Sequence, residues 1–527
     1  MVIAQAPAQE AGVTVLKKGG NAIDAAVAVG FALAVTYPYG GNIGGGGFML
    51  IRLADGRSTF IDFRDAAPGK ASRDMFLDAN GKQTRDSVEG WRSSAVPGTV
   101  RGLELARSKY GHLSWSDDMA PAIELASKGF AISYAHAEQL KSSRSLSRDA
   151  ESKRIFQNDG KFYEVGDTFK QPELAATLER ISKGGAKEFY EGATAKRFAD
   201  EMAKNGGLIS LEDLKNYKAV ERTPIIGKYR NYTIISAPPP SAGGIGIMQM
   251  LGMLDGSGYE KTGFGSAATI HYVAEVMRRY YADRSQYLGD PDFFKVPTAG
   301  LLDPAYLEKR RSTIDPNHAT PSADVAPGHP AGSESTETTQ YDVVDSEGNS
   351  VSVTYTLDGG YGNGITVPGL GFLLNNNMDN FAAKVGGSNQ YGLVGSSANS
   401  IQPGKRPLSA MTPTIVLRDG KLFMVLGAAG GAHITTAVLQ AFLNVADFGM
   451  NVQDAVDAPR FHHQWQPDKL TMEKGFSPDT INLLKGMGYQ VSFEPSPVPA
   501  CLEAIVVDGG WLQGGPDPRR TGTVGGY

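Results

Sequence analysis

The sequence predicts an α+β protein built as an αββα sandwich, in which helices cover two layers of antiparallel sheet. Hairpin patterns occur near both ends of the chain, and the part between them has the apolar spacing of helices. Glycine supplies 65 of the 527 residues and clusters where one pattern gives way to another. This placement indicates tight turns and close backbone approaches rather than a repeat.

The first part of the chain predicts a buried helix followed by a hairpin. An Ala- and Val-rich run begins after Asn21 and ends before Pro38. Two β-rich runs follow at 48–53 and 59–63, and the Asp-Gly pair between them is a typical hairpin turn.

The middle of the chain predicts helices up to about residue 311. Apolar residues at 174, 178 and 181 lie on one helical face, and a second helix from about 193 ends at Asn205. Ser210 with Asp213 three residues later predicts the capped start of a third helix.

A change of composition separates this helical part from the C-terminal strands. Residues 314–337 are mostly Pro, Ala, Ser, Thr, Gly and Asp, which predicts an exposed linker. Strand pairs then return, at 338–344 with 351–357, at 414–417 with 422–426, and on either side of 508–509.

Composition excludes several classes of function. The chain is 41% hydrophobic and 20% charged, as in an ordinary globular protein, and its net charge of −5 comes from interspersed charges of both signs. Nucleic-acid binding is not expected, because no basic stripe is present. A membrane-spanning helix is not expected near the start either, because the longest apolar run there has about 12 residues and a span needs roughly 20.

The sequence also predicts no metal site and no disulfide framework. Cys501 is the single cysteine. His462 and His463 are adjacent, and neighbouring residues on an extended segment point in opposite directions, which favours structural roles for both.

The junction between the predicted linker and the next strand contains a candidate nucleophile. If the bond between Glu337 and Thr338 is cut, Thr338 presents a hydroxyl and a free α-amine on one residue. An α-amine that titrates near 8 accepts the hydroxyl proton at neutral pH, so one residue supplies nucleophile and base. The alternative is an ordinary threonine at a strand start.

Motifs along nearly the whole chain resemble the γ-glutamyltransferases. They are Gly-Gly-Asn-Ala-Ile-Asp-Ala-Ala at 19–26, Gly-Gly-Gly-Gly-Phe at 44–48, Asp-Phe-Arg at 62–64, Pro-Pro-Pro-Ser at 238–241, Thr-Thr-Gln-Tyr-Asp-Val-Val-Asp at 338–345, Lys-Arg-Pro-Leu-Ser at 405–409, Gly-Gly at 430–431 and Ala-Pro-Arg-Phe-His-His-Gln-Trp at 458–465.

This resemblance implies an N-terminal-nucleophile hydrolase fold and a precursor that cleaves itself. Residues 1–337 would form the large subunit and residues 338–527 the small subunit, associated as one αββα unit. The expected reaction transfers the γ-glutamyl group of glutathione or another γ-glutamyl compound to water, an amino acid or a dipeptide, without a cofactor. The resemblance also implies export to the periplasm or outside the cell.

The resemblance assigns roles to individual residues. Thr338 is the expected nucleophile, Thr356 a second hydroxyl beside it, and the N–H groups of Gly430 and Gly431 the oxyanion donors. The remaining assignments concern the substrate: Arg64 and Ser409 for its α-carboxylate, Asn377 for its α-amine, and Tyr391 for a lid over the pocket.

The chain departs from the family pattern where the substrate ammonium is held. Asn380 replaces an acidic residue in a Met-Asp-Asp-Phe motif, whereas Asp358 stands where many relatives carry Asn. Ala410 replaces a second serine. The reciprocal changes predict that the negative charge has moved from position 380 to Asp358. The alternative is that Asp358 caps the turn into 359–360.

Three functions therefore stay open from the sequence. The first is a γ-glutamyltransferase and glutathione hydrolase. The second is an acylase for glutaryl-type, cephalosporin-like side chains, which lack the α-amine. The third is a non-catalytic binding protein of the same fold.

Overall fold

The αββα architecture is present in this computed structural model, which describes residues 1–330, 339–494 and 500–526. The strands of these ranges are β1 (Val2–Gln5), β2 (Gly46–Arg52), β3 (Ser58–Phe63), β4 (Phe130–Ala131), β5 (Thr168–Phe169), β6 (Val220–Arg222), β7 (Ile225–Tyr229), β8 (Tyr232–Ser236), β9 (Thr339–Val344), β10 (Ser350–Thr356), β11 (Thr414–Arg418), β12 (Lys421–Ala429), β13 (Phe461–His462), β14 (Leu470–Met472), β15 (Val491–Phe493), β16 (Cys501–Asp508), β17 (Trp511–Pro516) and β18 (Gly522–Gly525).

The helices of the same ranges are α1 (Ala6–Lys17), α2 (Ala22–Thr36), α3 (Thr99–Tyr110), α4 (Trp115–Lys128), α5 (Tyr134–Ser142), α6 (Ala150–Phe156), α7 (Pro172–Gly184), α8 (Ala186–Glu191), α9 (Ala193–Lys204), α10 (Leu211–Asn216), α11 (Gly243–Leu254), α12 (Ala267–Tyr287), α13 (Thr298–Leu301), α14 (Pro304–Arg311), α15 (Ile434–Ala446), α16 (Val452–Asp457) and α17 (Pro478–Gly486).

Two antiparallel sheets form the middle of the sandwich. One has the strand order β18-β1-β9-β10-β2-β3-β6, and the other has the order β17-β16-β12-β11-β8-β7. Apolar side chains from both sheets pack against one another between them, including Phe48, Phe60, Ile235, Ile415 and Val425. Each sheet therefore combines strands from before and after residue 338.

Helices cover the outer face of each sheet. All 15 residues of α2 are buried in the core on the seven-stranded sheet, and Asn21 and Asp24 form the capping box that starts this helix. Apolar residues of α11, α12 and α15 form the core on the six-stranded sheet. Among the described residues, none of the helices combines the length and apolar character that crossing a bilayer requires.

The predicted hairpins and helices are present, but the prediction that the middle of the chain is helical was incomplete. This part also contains the strands β4 to β8, of which β7 and β8 form a hairpin in the six-stranded sheet. β2 pairs with β3, β11 with β12, and β16 with β17, each across the expected turn. The helix ending before Pro38 is α2, and α7 and α9 match the two predicted in the middle of the chain. Ser210 and Asp213 form the capping box of α10.

The described part of the predicted linker, residues 314–330, is largely exposed, as predicted, but it is also anchored to the folded body. Backbone N–H groups of this part donate to carboxylates of the folded body: Thr320 to Glu275 at 3.2 Å, Ser322 to Asp468 at 2.7 Å and Gly328 to Asp283 at 2.8 Å. Hydrogen bonds to charged groups hold a segment that lacks large apolar side chains. Residues 331–337 lie outside the described residues.

A buried carboxyl in α4 makes stability depend on pH. Asp118 is fully buried, both of its carboxyl oxygens lack a hydrogen-bond partner among the described residues, and burial followed by the charge of Asp24 raises its pKa to about 8. The unfolded chain has the ordinary pKa near 4, so the folded state binds this proton more tightly. The free energy of unfolding therefore falls as pH rises from about 4 to 8, by up to about 1.4 kcal/mol per pH unit.

We expect Asp118→Asn to remove this contribution. Thermal unfolding of wild type and variant at pH 5 and pH 8 measures it, because the variant should lose less stability between the two values. Equal losses in the two proteins would contradict the assignment.

Candidate active site

The expected nucleophile and the cleavage site, Thr338 and Glu337, lie outside the described residues. The next residue, Thr339, begins β9 and pairs with Tyr355 of β10. Thr356 ends β10, is buried, and its hydroxyl oxygen accepts a hydrogen bond of 2.7 Å from the N–H of Asp358. The second predicted hydroxyl is therefore held in place by the turn that follows it.

The glycine run at 44–47 packs directly against this strand end. A Cβ on Gly45 would lie 1.9 Å from the carbonyl oxygen of Thr356, and one on Gly44 would lie 2.0 Å from that of Leu373. Only glycine fits such contacts, so the run brings β2 close to the segment that carries the candidate site residues.

Gly430 and Gly431 form the turn between β12 and α15. Their φ angles are +132° and +69°, which favour glycine over other residues. The hydroxyl of Tyr281 donates to the carbonyl oxygen of Ala432, directly after this turn. The side chain of Thr435, at the start of α15, donates to the carbonyl oxygen of Ala410 at 3.3 Å, which connects the turn to the segment of Ser409.

Arg64 lies directly after β3 and is fully buried. Its Nη1 donates to the side-chain oxygen of Asn377 at 2.9 Å and contacts Asp65 at 3.2 Å, and its Nε donates to the carbonyl oxygen of Pro407 at 3.1 Å. Asn377 also accepts a hydrogen bond of 3.3 Å from Asn380. The fold thus brings together three of the predicted substrate residues.

Ser409 is buried near this cluster. Its N–H donates to the carbonyl oxygen of Pro240 at 2.9 Å, and its hydroxyl oxygen accepts from the N–H of Met411 at 3.1 Å. These bonds join the 405–409 segment to the Pro-Pro-Pro-Ser segment at 238–241.

Asp358 has a left-handed backbone with φ +79°, a conformation uncommon for a residue with a side chain. One carboxyl oxygen accepts a hydrogen bond of 2.7 Å from Gln390, and the other, Oδ1, is buried without a partner among the described residues. The turn at Gly359 is held by Asn376, at 2.9 Å, instead of by Asp358. The alternative of a turn cap therefore does not describe what this carboxyl contacts.

The two positions of the predicted charge exchange are in contact. Burial, followed by the neighbouring Asp379, raises the pKa of Asp358 to about 8, and a hydrogen bond from Asn380 opposes this rise. The shift favours the protonated form of this carboxyl in the unliganded site. A bound ammonium would favour its ionised form.

Tyr391 lies in a loop that closes over Asp358. Its hydroxyl donates to the carbonyl oxygen of Asp358 at 3.0 Å, and its own carbonyl oxygen accepts from Gln464 at 3.2 Å. The N–H of Gln390 donates to Asp379 at 3.0 Å. Sequence reasoning missed Gln390, Asp379 and Gln464 as anchors of this loop; Asp379 and Gln464 stand inside motifs that carry the resemblance.

The histidine pair has separate protein partners. His462 contacts Thr436 and Gln464 at 2.9 and 3.0 Å, whereas His463 contacts Asp468 at 3.2 Å. Within the described ranges, no group of three or more His, Cys, Asp or Glu side chains is placed to hold a metal ion.

Comparison with known proteins identifies close relatives. A family model described as Gamma-glutamyltranspeptidase matches residues 8–527. The glutathione hydrolase proenzyme of Escherichia coli (strain K12) is 51% identical, over 98% of this chain and 89% of its own length. The Acylase ACY 1 proenzyme of Pseudomonas sp. (strain SE83) is 38% identical, over 99% and 92%.

The fold is shared with a solved acylase. The crystal structure of cephalosporin acylase from Bacillus halodurans superposes with a TM-score of 0.88 at 27% identity, covering 100% of this chain and 95% of that one. This likeness confirms the predicted architecture.

Proposed function

Because this chain belongs to the gamma-glutamyltranspeptidase family, we propose that it is an autoprocessing γ-glutamyltransferase that also hydrolyses glutathione. The Thr338 hydroxyl attacks the γ-carbonyl carbon of the substrate, and its α-amine takes the proton. The C–N bond breaks, the protonated amine leaves, and a γ-glutamyl ester of Thr338 remains. Water, an amino acid or a dipeptide then attacks this ester and restores the hydroxyl.

One observation carries this proposal: buried polar atoms without partners match the charges of a glutamyl group. Three of the buried side-chain atoms that lack a partner within the described ranges are Nη2 of Arg64, Nδ2 of Asn377 and Oδ1 of Asp358. The two donors suit an α-carboxylate, so the free amide N–H of Asn377 fits this group and not the α-amine that the resemblance assigned to the residue. The acceptor on Asp358 suits an α-ammonium. Buried polar groups are almost always paired in native proteins, so this set is suited to a zwitterionic ligand.

The other residues complete the proposed reaction. The N–H groups of Gly430 and Gly431 stabilise the oxyanion of each tetrahedral intermediate. Thr356 supports the Thr338 hydroxyl, Ser409 assists Arg64 with the α-carboxylate, and Tyr391 excludes water from the acyl group.

The precursor is proposed to give subunits of residues 1–337 and 338–527. Relatives named proenzymes support a two-part product. β9 and β10 lie between β1 and β2 in one sheet, so cleavage at this junction would leave the two parts joined by strand pairing on both sides. Export to the periplasm or medium stays a prediction from the resemblance.

An acylase that accepts glutaryl side chains is the second candidate. Asn380 is neutral, and burial together with the neighbouring Asp379 raises the pKa of Asp358, which favours its uncharged form when no ammonium is bound. Both features suit a substrate without an α-amine. Two similar proteins that are named acylases support this candidate.

Hydrolysis of matched γ-glutamyl and glutaryl anilides decides between the candidates. If the negative charge has moved to Asp358, wild type prefers the glutamyl anilide. Asp358→Asn then loses about 1.5–3 kcal/mol of that preference in kcat/KM, the worth of a hydrogen bond to a charged group. The double variant Asp358→Asn with Asn380→Asp restores it.

Asn380→Asp alone is the control, because it adds a carboxylate without removing the first. A wild type that favours the glutaryl anilide would support the acylase, and an intact preference in Asp358→Asn would refute the charge relocation. If neither anilide is hydrolysed, the third candidate, a non-catalytic binding protein of the same fold, is favoured.

A further inference from the structure

Arg284 is a buried cation to which the proposed reaction gives no role. It lies on α12, and 1% of its surface is exposed. Its Nε and Nη2 are buried, and neither has a hydrogen-bond acceptor among the described residues. Arg278 and Arg279 on the same helix are paired with Glu275, at 3.1 and 2.6 Å. Burial of an unpaired guanidinium is costly, so Arg284 requires an anionic or strongly polar partner.

The two unpartnered atoms specify the shape of that partner. Nε–H and Nη2–H lie on one edge of the guanidinium and point in nearly the same direction. This edge forms two parallel hydrogen bonds with the two oxygens of a carboxylate. Arg284 thus presents, in one plane, the donor pair that binds a carboxylate bidentately.

The helical turn before Arg284 contacts the proposed oxyanion turn. Tyr281, three residues earlier on the same face of α12, donates to the carbonyl oxygen of Ala432. The Arg284 guanidinium lies 5.7 Å from the centre of the Tyr281 ring, and His462 packs on that ring at 5.5 Å. Arg284 therefore lies close to the residues that directly follow Gly431.

The residues after Arg284 contact two other parts of the site. The carbonyl oxygen of Gln286 accepts from Ser396 at 3.2 Å, a few residues beyond Tyr391. The carboxylate of Asp290 accepts from the N–H of Arg406 at 2.7 Å, in the segment that leads to Ser409. This end of α12 thus borders the oxyanion turn, the loop over the pocket and the 405–409 segment.

We propose that Arg284 binds the carboxylate of the leaving group, and that of an amino-acid or dipeptide acceptor. The inference rests on the proposed function. Glutathione carries one ammonium and two carboxylates, and the site offers Asp358 for the first and Arg64 for the carboxylate of the glutamyl group. Arg64 follows a strand of the seven-stranded sheet, whereas Arg284 comes from a helix on the six-stranded sheet. Arg64 and Arg284 are therefore carried by different layers of the sandwich.

Two substrates that differ in one carboxylate test the proposal. Glutathione and its glycine amide share the γ-glutamyl bond, and only glutathione ends in a carboxylate. We expect wild type to prefer glutathione in kcat/KM by about 10- to 100-fold, and Arg284→Gln to bring this ratio close to one. A γ-glutamyl anilide, whose leaving group has no carboxylate, should be hydrolysed at a similar rate by both proteins.

The controls separate this proposal from the proposed function. Arg284→Lys keeps the charge without the fork and should show an intermediate ratio. The assignment is wrong if wild type has equal kcat/KM for the two peptides. It is also wrong if Arg284→Gln lowers kcat/KM equally for all three substrates, whatever the stability of the variant. The proposal would also be wrong if chloride changed the rate of hydrolysis of the glycine amide and wild type showed no preference for glutathione. The Nε and Nη2 groups of Arg284 would then bind an inorganic anion. Failure of wild type to cleave the anilide would instead refute the γ-glutamyl activity.

Discussion

Thr338→Ala is expected to abolish both chain cleavage and activity. Wild type should purify as fragments of 337 and 190 residues (527 − 337 = 190), whereas the variant stays one chain of 527. Removal of the hydroxyl takes away the only atom that is proposed to attack both the 337–338 bond and the substrate. We expect kcat to fall by roughly 10⁴-fold or more. Denaturing electrophoresis, mass spectrometry and an anilide assay measure both effects.

The adjacent threonine provides a matched control for this variant. Thr339→Ala removes the same atoms one residue later, in β9, and should still be cut before residue 338. Thr338→Ser retains a hydroxyl and should be cut, at a changed rate. An uncut wild type with full activity would refute the mechanism, because the α-amine of Thr338 would then not be free.

Arg64→Ala is expected to have the second-largest effect. Arg64 is fully buried and would form a desolvated pair with the substrate α-carboxylate, so its loss should cost about 2–5 kcal/mol in kcat/KM. At about 1.4 kcal/mol per factor of ten, this is a loss between about 30-fold and several thousandfold. Steady-state hydrolysis of a γ-glutamyl anilide measures it.

Two variants show whether that loss comes from the substrate. Arg64→Lys keeps a cation but cannot form two parallel hydrogen bonds, so most of the loss should persist. Arg57→Ala removes an exposed arginine of the same hairpin, paired with Asp55, and should leave kcat/KM unchanged. Unchanged hydrolysis by Arg64→Ala would remove this residue from the site, and a melting curve tests whether its loss also unfolds the region around Asp65.

The sequence was sufficient for elements whose pattern is local. The buried helix after Asn21, the hairpin at Asp55-Gly56 and the capping box at Ser210 each depend on residues a few positions apart. The residues of the candidate site, in contrast, were predicted from the family motifs. Neither periodicity nor composition places Arg64 next to Asn377, which lies 313 residues further along the chain.

Residues 314–330 show what composition leaves open. Few large apolar side chains indicate an exposed segment, and most of these residues are exposed. Composition does not show that three of their backbone N–H groups are held by Glu275, Asp283 and Asp468. A sequence does not show from which distant N–H group a given carboxylate will accept a hydrogen bond. Such pairing can be recognised only when the tertiary structure places the two segments side by side.

By itself, the sequence predicted the αββα class, the helices and hairpins with a local pattern, the family motifs, and the unusual Asp and Asn at positions 358 and 380. Only the tertiary structure decided that Asp358 contacts Asn380 and Gln390, and that Arg284 is buried near the turn at Gly430 and Gly431, with no acceptor for its Nε and Nη2 among the described residues. The physical reason is that local backbone preferences depend on neighbouring residues, which a sequence displays directly. Contacts across layers depend on sheet pairing and burial, which are fixed only when the whole chain packs.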